Sequence, residues 1–109
     1  MVLVTHATGT VQIVHVDDVD PTEVAPGILR RPLPATERAR GWVYDFAPGA
    51  QWPEEDVHES EERYYVVSCE FIDCGRRLGA GSYVVFTPGS VHRPRTEIGA
   101  RVIGITLLG

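Results

Sequence analysis

Short runs of β-branched and aromatic residues, broken at regular intervals by glycine and proline, constrain this chain more than any other feature. TVQIVHV (10–16), ILRRPL (28–33), WVYDF (42–46), RYYVVSCEFI (63–72), SYVVF (82–86) and ARVIGITLL (100–108) each read as a strand. Between them, DDVDPTEVAPG (17–27) reads as a polar connector and PATERARG (34–41) as a loop. APGAQW (47–52) and DCGRR (73–77) read as turns, the second a hairpin with Gly75 free to take a positive φ. No segment holds three turns of amphipathic helix. Roughly seven short strands at this spacing predict an antiparallel sandwich or small barrel.

A length of 109 residues fits one domain, and 43% hydrophobic content is enough for a core. No apolar run approaches the ~20 residues of a membrane helix. The start, Met1-Val-Leu-Val-Thr-His, lacks the basic and apolar regions of a secretory signal, so the expected location is the cytoplasm. In that setting Cys69 and Cys74 are expected to be free thiols. All ten basic side chains are arginines, set among fifteen acids for a net charge of −5, which argues against nucleic acid as a partner. The absence of lysine excludes any mechanism that needs a lysine Schiff base.

One stretch departs from the strand-and-turn pattern. In EEDVHESEERYYVVSCE (54–70), acids surround a single histidine ahead of the longest strand. If 56–58 is extended, Asp56 and His58 share a face, and Glu62, at the head of the next strand, can return to it. Carboxylate and imidazole converging on one point make a metal platform. Thirty residues on, Thr87-Pro88-Gly89 reverses the chain and delivers His92 to the next strand. Tyr64 lies two residues past Glu62 and shares its inward face, as a core aromatic or as a proton donor.

These two stretches resemble the paired motifs of the cupin superfamily. The first family motif is H-x-H, three or four residues, E, six residues, G; here it is Asp56-Val57-His58, three residues, Glu62, six residues, Cys69. The second is G, five residues, P-x-G, two residues, H, three residues, N; here it is Gly81, five residues, Thr87-Pro88-Gly89, two residues, His92, three residues, Thr96. PGILRRPL, APGAQWP and PGSVHRPR are similar to the cupin-like domain of zinc-binding anti-sigma factors and of small acetylacetone-cleaving-type enzymes. The resemblance spans about residues 24–107.

It implies an all-β fold, an antiparallel double-sheet jelly-roll barrel, as a single cupin domain over residues 1–109. It implies one divalent metal ion (Zn, Fe, Mn or Ni) on Asp56, His58, Glu62 and His92, with Glu62 and Tyr64 as the catalytic pair. The implied partner is a small oxygen-rich organic molecule, turned over by a dioxygenase, isomerase or polyketide-cyclase type of reaction. The alternative is a non-catalytic module that senses a ligand or metal. The strand at 10–16 is expected to pair a second copy into a homodimer.

Overall fold

The β-branched runs form the middle of a seven-stranded antiparallel sheet. The computed structural model describes residues 2–6 and 8–108, with the side chains of Thr5 and His6 outside that description. In chain order the strands are β1 (Val2–His6), β2 (Gly9–Ile13), β3 (Thr22–Ala25), β4 (Ile28–Ala35), β5 (Ala39–Phe46), β6 (Asp56–Val57), β7 (Glu62–Asp73), β8 (Arg76–Gly79), β9 (Tyr83–Phe86), β10 (Val91–His92) and β11 (Ala100–Leu107). One short 3-10 turn, Val16–Asp18, precedes β3. Among the described residues no helix is long and apolar enough to cross a membrane.

The large sheet runs β3-β4-β5-β11-β7-β8, with β9 also paired to β7. Strand β11 sits at its centre between β5 and β7. Two small pieces stand apart from it, the β1–β2 hairpin and a β6–β10 ribbon. This corrects the expected barrel: among the described residues the sheets do not close on themselves. Period-2 alternation specifies which face a side chain occupies, not whether the outermost strands meet. β3 is only four residues long and pairs with β4 no further than Arg30. β4 then carries Pro32 where it has no partner on that side, a position that tolerates proline. The β6–β10 ribbon, two residues per strand, is too short to carry the ladder around.

Several strand boundaries also differ. β4 continues to Ala35, β5 already begins at Ala39, and the stretch read as a connector contains β3. The predicted strand at 10–16 is instead the second arm of a hairpin, and the chain leaves strand geometry after Ile13.

The inner face of the large sheet carries Ile28, Trp42, Phe46, Tyr64, Val66, Phe86 and Val102, all buried, with Phe71 packed edge-on to Phe46 at 4.9 Å between ring centres. Burying each such side chain contributes about 2 kcal/mol. On the opposite face Asp45 is clamped by Arg31 and Arg101, and Arg101 also reaches Asp17 at 3.2 Å. That charged cluster fastens the segment around the 3-10 turn to the outside of the sheet.

Candidate metal centre

The β6–β10 ribbon assembles the site. His92 pairs in register with Asp56, so the two side chains project side by side from one face. His58 follows β6 directly, and its backbone is held at both ends. Its N–H donates to the Ser90 carbonyl at 3.0 Å, and its carbonyl accepts from the Gly89 N–H at 2.8 Å. Gly89 has φ +91° and follows Pro88, and the Ser90 N–H closes back on the Thr87 carbonyl at 3.1 Å. Proline then glycine at the two central positions is what a type II turn requires, so the Pro-Gly turn both delivers His92 and anchors His58.

Asp56, His58 and His92 offer one ligand atom each within 4.8 Å of one another. His92 Nε2 lies 3.4 Å from Asp56 Oδ2, and His58 Nε2 lies 3.9 Å from the same oxygen. His58 is 4% exposed, and its Nε2 is a buried polar atom without a hydrogen-bond partner. Such an orphan is costly unless something fills the space it faces. Phe86 packs against both imidazoles, with ring centres 4.7 Å from His58 and 4.2 Å from His92.

Each histidine is oriented from behind by a carboxylate on Nδ1. Glu62 Oε2 sits 3.0 Å from His58 Nδ1, and Asp73 Oδ2 sits 2.8 Å from His92 Nδ1. Both carboxylates are themselves held. Trp42 Nε1 donates to Thr106 Oγ1 at 3.0 Å, and Thr106 Oγ1 donates to Glu62 Oε1 at 2.7 Å. The Tyr64 hydroxyl donates to Asp73 Oδ2 at 2.7 Å. A carboxylate behind each imidazole, itself held by hydrogen bonds, therefore leaves both Nε2 atoms facing forward, the arrangement that supports imidazole ligation.

Electrostatics follow this geometry. Burial, then the charge and hydrogen bond of Asp73, push the Tyr64 phenol far above its usual range, so Tyr64 stays a donor to Asp73. For His92, burial opposes the charged form. The hydrogen bond and charge of Asp73, joined by Asp56, outweigh it and raise the pKa above the usual 6.5.

The structure thus brings Asp56, His58 and His92 together. Glu62 stands one step back on His58 Nδ1, and Tyr64 reaches the site through Asp73. The sequence pattern does not single out Asp73 or Thr106 as site residues. Asp73 falls in the stretch whose sequence predicts a hairpin turn. The Thr106 and Trp42 contacts cross between strands 44 and 64 residues apart in sequence, beyond the reach of local pattern. The second-motif Thr96 is buried and has a structural task, donating to the Glu70 carbonyl and accepting from the Gly99 N–H.

A cavity of about 360 Å³ opens beside the cluster. Asp56, Glu62 and His92 form one end, and Trp42, Tyr44 and Trp52 form the wall, with Trp52 set edge-on to Tyr44 at 5.4 Å. That volume suits a small organic molecule.

Comparison with known proteins agrees with this architecture. The sequence matches the ChrR cupin-like domain over residues 10–107. The chain belongs to that family, within the cupin superfamily. Among solved structures, KdgF from Halomonas sp. aligns with a TM-score of 0.77 at 26% identity, over 85% of this chain and 89% of its own. The polyketide cyclase RemF from Streptomyces resistomycificus aligns with a TM-score of 0.79 at 19% identity, over 91% of this chain and 80% of its own. ChrR of Rhodobacter sphaeroides, an anti-sigma protein solved in complex with SigE, aligns with a TM-score of 0.76 at 22% identity over 84% of this chain. The match spans only 50% of that chain's length. No curated protein matches the sequence. Against the cupin motifs, Asp56 occupies the first histidine position and Cys69 the glycine of motif one. Cys69 has φ +62°, the backbone conformation that favours glycine.

Proposed function

We propose that this cupin is a metal-dependent enzyme acting on a small, oxygen-rich organic molecule. The observation that carries this reading is the buried, partnerless Nε2 of His58, aimed with His92 and Asp56 at one point beside an aromatic-walled cavity. Two imidazoles and a carboxylate suit a divalent Zn, Fe, Mn or Ni ion. Such an ion would act as a Lewis acid toward a chelating pair of substrate oxygens, and Fe, Mn or Ni would add redox capacity.

The remaining roles belong to the chain. Asp56, His58 and His92 would hold the ion. Glu62 orients His58 and is the carboxylate best placed to accept a proton from a bound diketone or enol, since it lines the cavity. Tyr64 acts through Asp73 as a positioning residue, because its proton is engaged there. The aromatic wall shields the reacting atoms from water. Dioxygenase, isomerase and polyketide-cyclase reactions all fit this set.

A second reading, a ligand- or metal-sensing module, is favoured by membership of the ChrR cupin-like family and by likeness to an anti-sigma protein. We place the protein in the cytoplasm, as a single domain, in keeping with two free, exposed cysteines. We further propose a homodimer. The β1–β2 hairpin exposes Val2, Leu3, Val4, Val11 and Ile13, and the outer sheet face exposes Tyr65, Tyr83 and Val85, so each copy offers apolar surface to another. A monomeric mass in sedimentation equilibrium would overturn the dimer.

The deciding measurement is metal content by mass spectrometry on untagged protein, beside His58→Ala and His92→Ala. About one equivalent in the parent, lost in both variants, supports the centre; a metal-free parent after reconstitution removes it. Turnover of 1,3-diketones or polyketide-like phenols then favours the enzyme. Ligand-induced thermal stabilisation without turnover favours the sensing module.

A further inference from the structure

The cavity has a basic side that the metal cluster does not use. On the inner face of the large sheet, Arg30 of β4 pairs in register with Tyr44, and Arg40 of β5 pairs with Thr106. Both arginines line the cavity. Arg30 is half-buried and Arg40 is exposed at the rim. Among the described residues neither makes an ion pair, whereas the half-buried Arg31 and Arg101 on the opposite face both pair with Asp45, and Arg101 also with Asp17. With fifteen acids against ten arginines, this is not a shortage of partners. A half-buried guanidinium left without a counter-charge carries a desolvation cost, and a ligand can remove it. Arg30 also acts electrostatically on the Tyr44 hydroxyl, which burial otherwise pushes upward, so its head group lies at the aromatic wall.

We infer that the cavity takes an organic anion, its chelating oxygens toward Asp56, His58 and His92 and its carboxylate received by Arg30, with Arg40 as a second cation at the rim. Arginine is suited to this because its fork matches both carboxylate oxygens at once. The flat wall of Trp42, Tyr44 and Trp52 accommodates the body of the molecule between the two ends. The chelating end rests on the metal reading above; the carboxylate end does not.

Isothermal titration separates the two. The zinc-loaded protein is titrated at low salt and pH 7.5 with three probes: 4,6-dioxoheptanoate, which has a diketone and a carboxylate; heptane-2,4-dione, which has only the diketone; and heptanoate, which has only the carboxylate. The dioxoheptanoate is expected to bind about tenfold tighter than the dione. Arg30→Gln should erase that preference and Arg40→Gln should reduce it in part. Equal affinity of the charged and neutral diones for the parent overturns the carboxylate site and leaves the metal reading standing. Heptanoate binding that depends on Arg30, with no binding of the dione, sustains the carboxylate site and sinks the chelating one. No binding of any probe overturns both. The comparison of probes on the parent decides the matter even if a variant folds poorly, and circular dichroism melts identify such a variant.

Discussion

Cys69 shows how much one residue can carry. Its φ of +62° is a conformation that costs an L-residue about 1–2 kcal/mol. It lies two residues past Val67, where the ladder between β7 and β11 shifts register, and that shift changes which side of β7 faces inward. Cys69→Gly should relieve the strain, partly offset by glycine's greater freedom in the unfolded chain, for a net gain of about 1 kcal/mol. Urea unfolding checks this. Cys69→Val should lose stability, since β-branching is least tolerated there. If both variants unfold at the parent's urea midpoint, the strain argument fails. Gly104 makes the opposite demand, on space. A Cβ there would clash with the Arg63 carbonyl oxygen and with Trp42 Cη2. Gly104→Ala should therefore cost about 3 kcal/mol by overpacking. It should also weaken metal binding, because displacing Trp42 breaks the chain through Thr106 and Glu62 to His58.

At the scale of elements, β7 explains both what the sequence revealed and what it concealed. Along its first half the inward residues are Glu62, Tyr64 and Val66; past the irregularity they are Phe71 and Asp73. Period-2 reading from Glu62 points Asp73 outward, so its task on His92 was hidden by the register shift between Val66 and Ser68. Strands β5, β7 and β11 were legible because their apolar runs are long and bounded by turn residues. β3 was not, because as an edge strand it exposes Thr22, Glu23 and Val24 and carries no apolar alternation. The spacing of Asp56, His58 and His92 was legible, whereas the carboxylates behind the histidines depend on pairing between distant segments. Asp73→Asn tests that outer layer. It should weaken zinc affinity about 10–100-fold with little loss of fold. It should also change the pH response of the metal-free protein. His92 has a raised folded pKa, so its contribution to stability is fully present below the unfolded value of 6.5 and is lost as pH rises through the folded pKa. Urea midpoints measured from pH 5.5 to 8.5 should show this decline in the parent and a smaller one in Asp73→Asn, where Asp56 alone still favours the imidazolium. An unchanged slope would show that Asp73 does not set the His92 pKa.

Across the whole molecule, the candidate ligands come from a two-stranded ribbon and not from the large sheet. The β6–β10 ribbon has two residues per strand and stands apart from the large sheet. At the site, the contacts Glu62–His58 and Asp73–His92 and the packing of Phe86 tie it to that sheet. Few backbone bonds and small buried area place such a unit at the low end of local stability. The large sheet, with β11 paired on both sides, belongs at the high end. A metal joining Asp56, His58 and His92 would close the ribbon on itself, so binding and local ordering are linked. At a free zinc concentration a hundredfold above Kd, stability should rise by about 2.7 kcal/mol. Hydrogen exchange locates the gain. The His58 and Gly89 amides, whose bonds hold the ribbon turn together, should slow on adding zinc far more than amides in β11. His92→Ala should abolish that slowing while leaving exchange in β11 as in the metal-free parent. Protection gained evenly across the sheet, or chiefly in the β1–β2 hairpin, would mean that zinc acts somewhere other than the ribbon and that these three side chains are not its site.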